Sequence, residues 1–458
     1  MNYKTQKFLV AGMSRSGAAS CDFLLARGAS VCIYDDVPGD AVKKRMEELA
    51  TKGARILPAE AVASAAEECD VLVLSPGIPI DHELPVFFRK KGKRIIGEAE
   101  LGCLNLRSPL VAVTGTNGKT TTVTMIDEIL RAAGVHSVAC GNIGIPLTSC
   151  VEKLGWEDVA VMEVSSFQLE TLTSICPHVA VVTNIAEDHL ERHYSMENYI
   201  FLKSKLLRNM RESEYAVLNY DDERVRAFAE EARCPVRWFS VRERVAGACL
   251  FEGGLYYENE KIMDADALSL KGEHNLKNAL AAICAARLMG VDGAVIAKTL
   301  SSMRGVRHRL EKIAELGGVT FVNDSKATNV DATLRAIDCM REDTVLLLGG
   351  KDKGESYDPL FERIRDSRVV LCVLYGENRF RLLNSAVRCN ESRITLCADF
   401  GLAVRIAALS AKAGQCVLLS PACSSFDAFT DYEARGEKFE EIVKGLEVET
   451  LAPDRLCQ

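Results

Sequence analysis

Short apolar runs, each followed by a stretch of helical periodicity, recur along the whole of this 458-residue chain. That alternation restricts the fold more than any other feature. Successive parallel strands need crossover connections, and helices on both faces of a sheet allow strands that are apolar throughout. In the first series Phe8-Leu-Val-Ala, Val31-Cys-Ile-Tyr, Val71-Leu-Val-Leu and Arg94-Ile-Ile read as strands, with Ala18 to Arg27 and Ala41 to Ala50 among the helices. A second series begins at Pro109 and includes Asp158-Val-Ala-Val-Met-Glu163 and His178-Val-Ala-Val-Val-Thr183-Asn184. Toward its end Leu250 to Tyr257 reads as a β-hairpin and His274 to Leu288 as a helix with an Ala-rich face. A third series, from about Gly305, runs through Val319-Thr-Phe-Val322, Val345-Leu-Leu-Leu348, Val369 to Leu374 and Cys416-Val-Leu-Leu-Ser420. The expected fold class is α/β, as three consecutive α/β domains over 1–106, 107–304 and 305–458, in line with a length prior of roughly one domain per 150 residues.

A composition of 48% hydrophobic and 26% charged residues is that of a soluble globular protein, and no apolar run approaches a membrane span. Met1 to Phe8 leads straight into a strand pattern without the apolar core and cleavage site of a secretion signal, so a cytoplasmic location is expected. The 17 cysteines are scattered in apolar segments such as Val31-Cys32-Ile33 and lack any Cys-x-x-Cys spacing. They read as reduced core residues rather than a disulfide framework or zinc site. A net charge of −8 argues against a general nucleic-acid binder.

Val111-Ala-Val-Thr114-Gly115-Thr116-Asn117-Gly118-Lys119-Thr120-Thr121 is a strand entering a Gly-Lys-Thr loop and then a helix. Small residues let consecutive N–H groups close around phosphate oxygens. The helix start presents its positive end, the lysine reaches the terminal phosphates, and the Thr120 hydroxyl is placed for Mg2+. The strict motif would have Gly at Val113, so this is a shortened variant. A nucleoside triphosphate site follows from it, the alternative being an ordinary Gly-containing turn.

Glu163, at a strand end beside that loop, is placed either for Mg2+ or as a helix cap. Asp188-His189 brings a second metal-capable group toward the same edge, whereas Lys203 and Lys205, on the helical run that follows, read as a solvated face. In the first series Gly12-Met-Ser14-Arg15-Ser16-Gly17 is a dinucleotide-type turn with Ser14 where the middle Gly belongs. Asp35 is either a ribose ligand or a solvated acid, and Ser75-Pro-Gly77 either part of the same ligand-facing edge or a plain turn. In the third series Asn323 to Asn329, Gly349-Gly-Lys351-Asp-Lys353-Gly354 and Ser420 to Asp427 all follow strands, at the edge where open α/β sheets bind ligands. Their lysines and hydroxyls suit an anionic, carboxylate-bearing substrate, or else belong to capped loops and surface charge.

Taken together, these motifs resemble the Mur ligase family over essentially the whole chain. The resemblance is carried by Thr114 to Thr120, Gly141-Asn142-Ile-Gly144, Glu163 with Ser165-Ser-Phe-Gln168, Asp188-His189 and Gly272-Glu-His274-Asn275-x-x-Asn278. His308-Arg309, Asn323-Asp-Ser-Lys-Ala-Thr328 and Ser420-Pro-Ala-Cys423 complete it, the last two being similar to the D-glutamate-adding branch. It implies a Rossmann-like UDP-substrate domain, a P-loop-type ATPase domain and a Rossmann-like amino-acid domain. The activity it implies is ATP-dependent joining of D-glutamate to UDP-N-acetylmuramoyl-L-alanine through an acyl phosphate, in peptidoglycan precursor synthesis and hence cell-wall biogenesis, cell shape and cell division.

By the same resemblance ATP lies on Gly115, Thr116, Asn117, Gly118, Lys119, Thr120 and Thr121, with Asn275, Asn278, Arg309 and Asp324 on the adenine and ribose side and Lys326 at the phosphates. The implied catalytic group is Lys119, Glu163, His189 and Lys203. One Mg2+ falls on Thr120 and Glu163, and a second on His189 and a carbamylated Lys203, with Lys205 the alternative in register. Arg15, Ser16, Asp35, Ser75 and Gly77 are implied for UDP, although Asp36-Val37 stands where relatives can carry Thr-Arg, and Asn142 for the muramoyl part. Thr328, Lys353, Ser425 and Tyr432 are implied for D-glutamate. The expected partners are small molecules, without nucleic acid or a membrane span, and a monomer is expected. Three other readings stand beside this one: a Mur-type ligase for another amino acid, a nucleotide-regulated binding protein without turnover, and an oxidoreductase, which leaves the phosphate loop unexplained.

Overall fold

The computed structural model describes residues 1–450 except 37, 62, 63, 65, 66 and 304–306. Val37 and the expected domain boundary at 304 and 305 therefore lie outside the described residues. The chain divides into two compact units, Met1–Ile185 with Glu197–Met303, and Ala186–Met196 with Arg304–Gln458.

The first unit holds two sheets. β1 (Lys7–Ala11), β2 (Ser30–Tyr34), β3 (Arg55–Ile56), β4 (Val71–Leu74) and β5 (Arg94–Gly97) pair in parallel in the order β3-β2-β1-β4-β5. Leu9, Leu72 and Leu74 on one face of this sheet bury against Phe88 and Leu84 of the helix Glu83–Lys90. The second sheet comprises β6 (Leu110–Thr114), β7 (Ser137–Gly141), β8 (Val159–Glu163), β9 (Val179–Val182), β10 (Tyr215–Asn219), β11 (Val236–Ser240), β12 (Gly247–Phe251), β13 (Gly254–Tyr257) and β14 (Glu260–Asp264). Their order is β14-β13-β12-β11-β10-β9-β6-β8-β7. β12 and β13 form the expected hairpin, and only the β12–β13 and β13–β14 pairs are antiparallel. The helix Glu273–Leu288 buries Ala279, Ala281, Ala282, Ala285 and Ala286 completely. Side chains this small let it lie close against the sheet and the helix Lys119–Ala132.

Two carboxylates on the helix Glu98–Cys103 tie these sheets together. Glu100, fully buried, accepts the N–H groups of Thr173 (2.8 Å) and Ser174 (2.9 Å) and both their hydroxyls (2.8 and 3.0 Å). Glu98 accepts the N–H and hydroxyl of Thr148 at 2.7 and 2.8 Å, and burial pushes its carboxyl above the usual range.

The second unit holds β15 (Glu311–Leu316), β16 (Val319–Asn323), β17 (Thr344–Gly349), β18 (Val369–Tyr375), β19 (Ile394–Leu396) and β20 (Cys416–Leu419), in the order β15-β16-β20-β17-β18-β19. All pairs are parallel except β15–β16. Side chains alternate across this sheet: Leu346 and Leu348 enter one core, with Leu360 and Leu382, while Val345 and Leu347 enter the other, with Val404 and Phe439. Both faces are therefore buried, which is why the strands read as continuous apolar runs. Among the described residues no helix is long and apolar enough to cross a membrane.

Glu100→Ala removes the buried acceptor shared by four donors and is expected to destabilise the first unit by about 3 kcal/mol. A denaturant melt with an unchanged midpoint would contradict that role.

Candidate active site

β6 delivers the chain into the phosphate loop, and the end of β9 grips it. The Asn117 N–H donates to Asn184 Oδ1 (3.0 Å), while the Asn117 carbonyl accepts the Thr183 hydroxyl (2.6 Å) and the Asn184 amide (2.8 Å). Two positions demand glycine. At Gly115, with φ 143°, a Cβ would lie 1.9 Å from Thr183 Oγ1, and at Gly118, with φ 83°, 2.3 Å from Asn278 Oδ1. Asn278 is thereby packed on the loop, with its amide 3.3 Å from Asn275 Oδ1; Asn275 in turn donates to the Lys271 carbonyl at 2.9 Å. Thr121, next in the helix, is buried. Lys119 folds its ammonium onto the loop, 2.9 Å from the Gly115 carbonyl and 2.7 Å from that of Thr116.

At the end of β8 the buried Glu163 accepts the Thr120 hydroxyl at 2.7 Å on Oε2 and the Asn142 amide at 2.8 Å on Oε1. A carboxylate and a hydroxyl side by side at a phosphate loop are oxygen donors of the kind that fit Mg2+.

Lys203 is not on a solvated face. It is 1% exposed, donates to the Gly115 carbonyl at 2.8 Å and lies 4.6 Å from the centre of the Tyr199 ring. The Tyr199 hydroxyl stands 3.0 Å from that of Thr116. Helical spacing puts Tyr199 and Lys203 on one face of Met196–Ser204, and that face is turned to the loop. Lys205 begins a 3-10 turn, points away to the carbonyls of Leu169 and Glu170, and has its pKa lowered by burial and then by the charge of Arg208.

At the first sheet the Met13 N–H donates to Asp35 Oδ2 at 2.7 Å, so this acid shapes the turn that leads into the helix Arg15–Ala26. Arg15 is exposed and Ser16 half-buried at its start. The Ser75 N–H is bonded to the Ala11 carbonyl (2.9 Å), which places the Ser75 to Gly77 turn beside the end of β1.

In the second unit three loops leave β16, β17 and β20, which are neighbours in the sheet. Lys353, 7% exposed, is 3.2 Å from Asp188 Oδ1, 3.4 Å from Thr328 Oγ1 and 3.4 Å from His189 Nε2. Asn329 holds the other Asp188 oxygen at 3.2 Å. Lys326 donates to the Tyr432 hydroxyl at 2.8 Å, its ammonium 4.3 Å from the ring centre. Ser425 is buried and opens a turn in which its carbonyl accepts the Phe429 N–H at 2.9 Å. Asp324 accepts the Ser420 hydroxyl (2.8 Å) and the Leu310 N–H (3.2 Å); burial pushes its carboxyl up to about 7 against the opposing charge of Arg309. Glu355 accepts the Val330 N–H at 3.0 Å and is raised to about 8 by burial and by Asp188.

Three residues escaped the sequence reading as site components: Tyr199, Asn184 and Arg435. Arg435 has no exposed surface and gives its donors to Ser325 Oγ (3.0 Å), the Ser325 carbonyl (2.8 Å), the Cys423 carbonyl (3.1 Å) and the Gly349 carbonyl (3.5 Å). One guanidinium thus joins all three loops. Nothing in the sequence around it distinguishes this arginine from a surface residue of an ordinary helix.

The raised carboxyls set a pH dependence. Asp324 and Glu355 keep protons in the folded chain that the unfolded chain, with reference values of 3.8 and 4.5, has released. Stability conferred by these protons is lost as pH rises from about 4 through 7 to 8. Asp324→Asn is expected to flatten the fall in melting temperature between pH 5 and pH 8; a variant curve parallel to that of the unsubstituted protein would refute this.

Two family models match in order, the Mur ligase middle domain at residues 113–286 and the Mur ligase glutamate ligase domain at 308–423. A UDP-N-acetylmuramoylalanine–D-glutamate ligase of Pelotomaculum thermopropionicum is 41% identical over 451 residues, covering 97% of this chain and 99% of its own. One of the same name from Enterococcus hirae is 37% identical, covering 97% of each chain. Among solved structures, UDP-N-acetylmuramate-alanine ligase MurC of Thermotoga maritima superposes with a TM-score of 0.64 at 17% identity, over 96% of this chain and 99% of that one. MurF ligase of the same organism, in complex with ADP, gives 0.60 at 18% identity, over 97% and 100%. With both models matched in sequence order and relatives this similar over nearly their full length, the chain belongs to the Mur ligase family, whose members are ATP-dependent, amide-bond-forming ligases.

Proposed function

We propose that this chain joins D-glutamate to UDP-N-acetylmuramoyl-L-alanine with conversion of ATP to ADP and phosphate. Relatives that carry this activity in their name, at 37 to 41% identity over nearly the whole chain, support the choice of substrates. The observation that carries the reading is Lys353. A buried ammonium beside a threonine hydroxyl, already holding a carboxylate of its own chain, is a receptor for the carboxylate of an amino-acid substrate.

A free carboxylate is a poor electrophile because its oxygen leaves badly. In this reading it attacks the γ-phosphorus of ATP, ADP departs, and the resulting acyl phosphate is attacked by the neutral amine of D-glutamate. The new C–N bond forms as phosphate leaves, and the amine gives up its proton. Lys119 leaves the Gly115 and Thr116 carbonyls for the transferring phosphoryl group, supplying positive charge where negative charge develops. Thr120 and Glu163 would hold Mg2+, which when bound neutralises phosphate charge. Asn275, Asn278, Arg309, Asp324 and Lys326 serve the nucleotide; Arg15, Ser16, Asp35, Ser75, Gly77 and Asn142 the UDP-linked substrate; and Thr328, Lys353, Ser425 and Tyr432 the amino acid. The division into domains at 1–106, 107–304 and 305–458 goes with this assignment, as does a cytoplasmic monomer.

Lys203 belongs to the proposal as a carbamate, with His189, for a second ion. Two ammonium groups share the Gly115 carbonyl, and carbamylation would turn one of these like charges into an oxygen-bearing anion. Lys203→Ala is expected to lose activity by about 100-fold or more and to regain part of it with short carboxylic acids, the scale of loss seen when one charge-stabilising group is removed. Full activity without them would exclude the carbamate.

The decisive measurement is phosphate release with ATP, Mg2+ and UDP-N-acetylmuramoyl-L-alanine, with D-glutamate, L-glutamate, meso-diaminopimelate, L-lysine or L-alanine added separately. Release with D-glutamate alone, with the matching mass gain in the nucleotide product, is expected. Release with a different amino acid would move the specificity, and none with any of them would end the ligase reading.

A further inference from the structure

Just past Lys203 the chain runs through the 3-10 turn Lys205–Leu207 into Arg208, where the surface of the first unit opens into two adjoining cavities. One, of about 590 Å3, has Arg208, Arg211 and Arg233 in its walls. The other, of about 350 Å3, shares Arg208 and Arg233 and continues over Phe201, Leu207 and Phe228. Glu212 and Glu231 also stand in these walls, yet among the described residues none of the three guanidinium groups makes an ion pair. Three guanidinium groups outnumber the single carboxylate of Glu212 in the larger cavity, and the net positive charge favours a bound anion. Arginine forks match phosphate oxygens two at a time.

The walls are held in place before any ligand arrives. The Asn209 amide donates to the carbonyls of Thr173 (2.7 Å) and Ile175 (3.0 Å), the Cys176 thiol donates to the Asn209 carbonyl (3.3 Å), and Met210 is buried beneath. The apolar half has its own unusual feature, since Phe201 is 57% exposed at the rim. A phenyl ring left in water next to a basic cleft is a platform for a planar aromatic group, and each cavity falls within the usual size range of small-molecule sites, about 300–1,000 Å3. No residue of the phosphate loop, of the first-sheet turns or of the second-unit loops takes part.

We propose that this cleft is a second nucleotide-binding site, with the base stacked on Phe201 and the phosphate groups held by Arg208, Arg211 and Arg233. The proposal does not depend on which amino acid the enzyme uses. The test is calorimetric titration of ADP with Mg2+ into the full chain. Two binding events per chain are expected. Arg208→Ala/Arg233→Ala weakens the second by about 10-fold or more and spares the first, the scale of losing charge-assisted hydrogen bonds. Lys119→Ala does the reverse. Phe201→Ala weakens the second event by about 5- to 10-fold, as loss of a stacking partner does.

All three arginines are exposed, so the double variant is expected to fold, with far-ultraviolet circular dichroism and ATP-dependent phosphate release at saturating substrate as controls. The single variants Arg208→Ala and Arg211→Ala give graded losses if it does not. One event per chain at millimolar ADP, or a second event unchanged by the double substitution, overturns the site. A second event that needs the arginines but ignores Phe201→Ala overturns the nucleotide assignment and leaves a plain phosphate-anion site.

Discussion

Parallel pairing sets the carboxyl ends of neighbouring strands side by side, and in this chain that constraint decides where chemistry is possible. Strands β6, β8 and β9 are adjacent, so Gly115, Glu163 and Asn184 come to one edge although they are far apart in sequence. Strands β16, β17 and β20 do the same for Asp324, Gly349 and Ser420. The first group lies where the strand order reverses direction, since the chain leaves β6 toward β7 but β8 toward β9, and such positions open a crevice. The polar loops are thus a product of topology before they are a product of substrate.

Much of this was legible in the sequence because it depends on local pattern. Apolar runs gave the strands, Gly-Lys-Thr gave the loop, and Gly118 has to be glycine for reasons of backbone and of Asn278 together. What the pattern could not give is burial imposed from a distance. A lysine on a helix is ordinarily solvated, and nothing around Lys203 says otherwise; only packing of Tyr199 against Thr116 turns that face inward. Asp35 illustrates the opposite limit. The strand end was readable, whereas its bond to the Met13 N–H, which makes it a scaffold for the turn, required the fold.

The buried charges follow one rule. Glu100, Lys203 and Lys353 all lie almost out of contact with water, and each has fixed partners within hydrogen-bond reach or close to it. Removing one partner from such a set costs far more than the set as a whole contributes, because the remaining charge is stranded. Such clusters therefore resist piecemeal substitution, and the phosphate loop inherits that resistance through the shared Gly115 carbonyl.

Arg435 carries the same logic into the timing of folding. Its partners Ser325 and Gly349 precede it by 110 and 86 residues. At a synthesis rate of about 5–20 residues per second, the strands that bear those loops are complete on the order of 5–20 s before the guanidinium that shapes them exists. β16 and β17 meet only through β20, and the Cys423 partner that follows β20 precedes Arg435 by 12 residues, so the sheet closes almost together with the arrival of the common donor. The fixed geometry of the three loops is the last property this part of the molecule acquires, arriving with β20 and the helix Tyr432–Thr450.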